Sequence, residues 1–232
     1  MKKADIYVLA GFIVFLSPFF IFPEILSGYE NLNKEHGMLM SFVKFALLAT
    51  FGETLGSRIR TGKYMPQGFG LLPRALVWGL LGCTIKLSFD IFTAGTLNFL
   101  TKMDWKEAKD IFIAPGFSGG KLLIAFCIST FMNTIFGPVM MTLHKITDTH
   151  ILQHGGKISA IYTPVKVGEI ISTMNWKVQW NFVFKRTIPL FWIPAHTITF
   201  ILPEEYRILF AALLGIALGI ILAIAASKGN VK

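Results

Sequence analysis

Residues 208–226 are built only from Ile, Leu, Phe, Ala and Gly. Nineteen apolar residues in a row are close to the roughly 20 that a helix needs to cross the hydrocarbon core of a bilayer. Five further apolar stretches precede this one, at residues 6–26, 38–57, 71–100, 122–143 and 187–202. Pro18 and Pro23 are expected to bend the far end of the first. Lys44 and Glu53 interrupt the second. The third is long enough to tilt, or to break near Gly95, and the fourth carries Asn133 and Pro138. The fifth is short and holds Pro189 and Pro194, and helices in lipid tolerate proline where neighbours satisfy the freed carbonyls. The fold class expected is therefore all-α, a polytopic transmembrane bundle of about six spans in a single integral membrane domain over residues 1–232. The count drops to five if 187–202 is re-entrant. The basic head and apolar run at the start also fit a signal peptide, but no small-x-small cleavage pattern follows, so an uncleaved first span is expected.

Charge placement gives an independent check, because it was not used to choose the spans. The chain is 53% hydrophobic and only 15% charged, against about 25% charged in soluble domains. That balance excludes a disordered chain and a soluble nucleic-acid binder. With the N-terminus in the cytoplasm, fourteen of the 22 Lys and Arg fall on the inner side, including Lys2, Arg58, Arg60, Arg74, Lys145 and Lys232, and six on the outer side. Eight acids fall outside and three inside, while Lys44, Glu53, Lys86 and Asp90 stay within spans. The overall +9 thus sorts into +11 inside, −2 outside and zero between, as the positive-inside rule requires. Expected from this are a cell inner (plasma) membrane location, both termini cytoplasmic, and a bilayer with an anionic inner leaflet as partner. A homo-oligomer stays open.

The connection at residues 144–186 mixes Trp176, Trp180 and other apolar residues with Lys and Arg. Two arrangements are open: part of it lies flat on the inner leaflet, or it forms an amphipathic helix packed under the bundle. Cys83 and Cys127 sit in apolar stretches and are expected as buried free thiols.

Polar groups at membrane depth are costly and mark sites. Lys86 and Asp90, at i and i+4, share a helix face and form either a self-neutralising fastener or the wall of an aqueous cavity. Glu53 is a further candidate to line a pathway, with a surface ion pair to nearby Arg58 and Arg60 as its plain explanation; Lys44 is placed to snorkel. Asn133, with Ser129 and Thr130, and His196 are expected in interhelical hydrogen bonds or along a pathway. His144, Asp148 and His150 are the weak candidates for a metal site, the alternative being a polar turn at headgroup level; no cofactor is expected. The stretch GFSGGK at 116–121 lacks both anchors of a phosphate loop.

The segment NWKVQWNFVFKRTIPLFWIPAHTITFILPEEYRILFAALLG is similar to the end of the Mpv17/PMP22 family of small integral membrane proteins, through Trp176, Trp192, Pro194, Phe200, Pro203 and Arg207. Gly52-Glu53 and Lys86-x-x-x-Asp90 resemble that family's Gly-Asp and Lys-x-x-x-Asp. Members are generally described with four spans, against the six counted here. The resemblance implies a helical membrane protein without cofactor, proposed to act as a channel or metabolite-permeation protein. A non-enzymatic channel for small solutes or ions is the leading expectation. A structural or assembly protein, and a metal-dependent enzyme embedded in the membrane, are the alternatives.

Overall fold

The structure is a computed structural model describing residues 3–229, without the side chains of Leu9 and residues 222–229. The chain ends, including Lys2 and Lys232 of the charge count above, lie outside the described residues. The fold is 84% helical, with no strand among the described residues. Four helices are long and apolar enough to cross a membrane: α1 (Lys3–Ile21), α3 (Gly37–Thr61), α4 (Leu71–Lys102) and α6 (Gly119–Gln153).

The chain divides into two compact units, Met1–Met40 and Ser41–Lys232. In the first, α1 runs through Pro18 and ends at Ile21. The expected bend is instead a break. Phe22 is extended, at φ −116° and ψ 104°, and Pro23 opens a new helix, α2 (Pro23–Glu35). Both facts follow from proline chemistry: the residue before Pro avoids the helical region, and Pro itself suits the first helical turn. Residues 27–35, polar enough to read as a loop, are therefore helical.

In the second unit the core gathers Phe45, Ala49, Ile85, Phe89, Ile124, Ile128, Met132 and Phe200. At 1.5 Å per residue, α4 and α6 are about 48 and 52 Å long, well beyond a 30 Å hydrocarbon layer. Consequently α6 carries His144, Lys145, Asp148 and His150 past the expected end of the fourth span on one continuous helix. Helix α4 passes Gly95 unbroken. Close approach of α3 and α4 depends on absent side chains. Ser41 Oγ donates to the Gly82 carbonyl at 2.8 Å, and a Cβ on Gly82 would lie 2.6 Å from that of Phe45.

The connection between α4 and α6 contains α5 (Ala108–Ile113), with Ala108 and Phe112 buried. Lys121, in the stretch that resembled a phosphate loop, is spent on structure: its Nζ donates to the Ala114 carbonyl at 2.6 Å and to that of Gly116 at 3.2 Å. After α6 come a short 3₁₀ turn (Ile158–Ile161), α7 (Val167–Thr173) and an unbroken helical run. That run comprises α8 (Trp176–Val178), a wider π-helical segment (Gln179–Trp192) and α9 (Ile193–Ile201). The expected span 187–202 is thus the second half of a longer helix whose first half carries Lys177, Lys185 and Arg186. Helix α10 (Glu204–Gly229) closes the unit. It touches α3 where α3 is bare: a Cβ on Gly52 would lie 2.9 Å from Ile216 Cα, the kind of small-residue contact that membrane helices favour. Cys83 and Cys127 form no disulfide and are half-buried, more exposed than expected. Lys44 does not snorkel; it is buried.

Candidate functional site

Residues 62–70 return the chain from α3 to α4, and Gly70 ends that loop at φ +70°. Only glycine fits there, because the left-handed backbone is coupled to a tight contact: an added Cβ would sit 2.6 Å from Ile151 and 2.9 Å from Gly156 Cα. The packed loop aims the Phe69 carbonyl at Arg74, whose Nε donates to it, and the guanidinium lies 4.9 Å from the Phe69 ring centre.

From this anchor Arg74 bridges two acids. One terminal nitrogen pairs with Glu53 of α3, and the other with Asp148 of α6. Glu53 also accepts from Trp78 Nε1 at 2.8 Å and contacts His144 Nε2 at 3.0 Å. A carboxylate only accepts, so the network assigns the His144 proton to Nε2. The Trp78 and His144 rings lie 4.4 Å apart. Five side chains from three helices thus make one closed cluster. The surface pair of Glu53 with Arg58 and Arg60 is not formed; Arg58 instead donates to the Gly62 carbonyl at 2.7 Å.

The cluster walls a cavity of about 550 Å³ between α3, α4, α6, the π-helical segment, α9 and α10. Asn133 and His196 line the same cavity. Ser129 Oγ donates to the Ile193 carbonyl at 2.7 Å, Asn133 Nδ2 donates to the Ser129 carbonyl at 2.8 Å, and Asn133 Oδ1 meets His196 Nδ1 at 3.0 Å. Because that oxygen is an acceptor, His196 carries its proton on Nδ1. Two other lining residues, Gln179 and Trp192, bury an N–H donor that has no hydrogen-bond partner among the described residues.

Lys86 and Asp90 stand elsewhere. They pair at 3.1 Å on the wall of a second cavity, of about 540 Å³, with Thr93, Asn98, Lys109, Glu204 and Arg207. Along α4 the first cavity takes Arg74, Trp78 and Ile85, and the second takes positions from Lys86 to Thr101. Phe89 is the one residue common to both linings among the described residues. It is 4% exposed, with its ring 5.6 Å from that of His196 and 4.9 Å from that of Phe200. Phe89 thus packs against both rings at the point that the two linings share.

Of the sequence candidates, the structure brings together Glu53, Asn133 and His196, and puts Lys86 and Asp90 beyond Phe89. Among the described residues no group of three or more His, Cys, Asp or Glu is placed to hold a metal. His144 and Asp148 belong to the Glu53–Arg74 cluster, and His150 Nε2 meets the Ala160 carbonyl at 3.0 Å. Arg74, Trp78 and Phe89 were missed as site residues. The first two had a signal, since Arg and Trp at i and i+4 share a helix face; Phe89 had none among 22 phenylalanines. Of the resemblance residues, Trp192 lines the first cavity and Arg207 the second. No protein-family model, curated protein or solved structure matches the chain.

Proposed function

We infer that this is a multi-span membrane protein that lets small solutes or ions pass, related to the Mpv17/PMP22 family. The observation that carries it is the pair of cavities, about 550 and 540 Å³, that follow one another along α4 and meet at Phe89. Ionisable and polar groups line both, inside a chain whose helices are apolar enough to span a bilayer. Such groups are tolerated at membrane depth where they face a cavity. The proposed topology has six spans: α1, α3, α4, α6, the run ending in α9, and α10. Both ends and the basic connections face the cytoplasm and its anionic leaflet. In that orientation the Arg74 cavity opens inward and the Lys86 cavity outward.

A second reading, a structural or assembly protein, is favoured by the ion pairs themselves. Arg74 ties Glu53 of α3 to Asp148 of α6, and Lys86 pairs with Asp90. Solute flux into sealed proteoliposomes separates the two. Purified protein is expected to admit small ions and metabolites while excluding large polymers. Vesicles as tight as protein-free controls would leave only the structural role.

A further inference from the structure

We propose that the cavity between α4, α5 and α10 is a binding site for an oxyanion, a carboxylate or phosphate group, with the Arg207 guanidinium as its main donor. Arg207 Nε donates to the Leu202 carbonyl at 2.9 Å. The guanidinium lies 5.1 Å from the ring centre of Phe112 and 5.9 Å from that of Phe200, both buried. Backbone and rings therefore fix the orientation of the fork. Its two terminal nitrogens have no hydrogen bond and no carboxylate within 4.0 Å among the described residues. A fixed guanidinium with both outer nitrogens free matches the two oxygens of a carboxylate or phosphate.

The surrounding charges support this. Lys86 and Lys109 share the lining with Arg207, against Asp90 and Glu204. Asp90 is engaged by Lys86 through both oxygens, at 3.1 and 3.3 Å. Glu204 is the competitor, one helical turn before Arg207, and Glu205 and Asp90 are the other acids whose charge reaches it. At about 540 Å³ the cavity has room for a small organic anion rather than a bare ion alone. Lipid headgroups and dissolved solutes both carry such groups.

The test is titration of inorganic phosphate into the full chain, followed by thermal unfolding, first in neutral detergent and then in lipid nanodiscs. A saturable rise in Tm is expected in detergent. Arg207→Lys, which keeps the charge but loses the fork, should weaken apparent affinity by about tenfold, the equivalent of roughly 1.4 kcal/mol. Glu204→Gln, which leaves Arg207 and its packing in place, should tighten it several-fold. If phosphate still binds in nanodiscs, the ligand is a dissolved anion. If it binds only in detergent, lipid phosphate holds the site. No saturable effect in either setting, or wild-type affinity in both variants, overturns the proposal. That the bound anion is the one that passes rests on the permeation reading. Binding without flux would defeat that reading alone, and flux without binding would defeat this one.

Discussion

Arg74→Met is expected to lower stability by about 3–5 kcal/mol, the usual cost of removing one partner from a buried ion pair. Arg74 is 7% exposed, and its loss strands two carboxylates at once, Glu53 on α3 and Asp148 on α6. Trp78 and His144 still donate to Glu53, so Glu53 is partly compensated, whereas Asp148 loses its only ion-pair partner among the described residues. Adding Asp148→Asn to Arg74→Met should recover part of the loss, because it removes the stranded charge. Glu53→Gln alone should cost less than Arg74→Met. Thermal and denaturant unfolding in detergent checks the order. Equal stability of wild type and Arg74→Met would show that the cluster does not tie the three helices.

The second large effect is expected at Phe89. Phe89→Ala removes the ring that stands in both cavity linings, and flux through proteoliposomes should rise about tenfold or more. Lowering a barrier by only about 1.4 kcal/mol is enough for that, and an apolar constriction blocks passage largely by excluding water. The same truncation costs about 3–5 kcal/mol of packing, because Phe89 also lies against His196 and Phe200. Phe89→Leu keeps an apolar plug of smaller girth and serves as the control, with flux between the two. Size selectivity should relax in the same order. A folded Phe89→Ala protein with wild-type flux would remove Phe89 from the pathway.

Much of the framework was legible in apolar runs, because a helix in lipid must be apolar over its membrane length whatever it packs against. Helices α3, α4 and α6 lie where the runs at 38–57, 71–100 and 122–143 placed them, although α6 extends ten residues further. Apolarity marks where a helix meets lipid, and hydrogen bonding decides where it stops. The same distinction hid the helix before residue 187, where Lys177, Lys185 and Arg186 end the apolar signal without ending the helix. Pairings across the bundle were not legible. Glu53 meets Arg74 and His144, 21 and 91 positions away, and no local spacing rule connects them. Its near neighbours Arg58 and Arg60 were the better guess from sequence and the wrong partners. Lys86 with Asp90 was readable because an i, i+4 pair needs only the helix itself.

The central claim is that the two cavities open to opposite faces of one membrane and meet at Phe89. Sided labelling tests it directly. With Cys83 and Cys127 replaced by Ala, a single cysteine is placed at Asn98 in the outer cavity or at Met141 in the inner one, and sealed vesicles of known orientation are treated with a membrane-impermeant thiol reagent. The Asn98→Cys protein should label from the outside only and the Met141→Cys protein from the cytoplasmic side only, with Phe89→Ala letting a small reagent reach each from the far side. Labelling of both from the same face, or of neither from any face, would contradict the pathway.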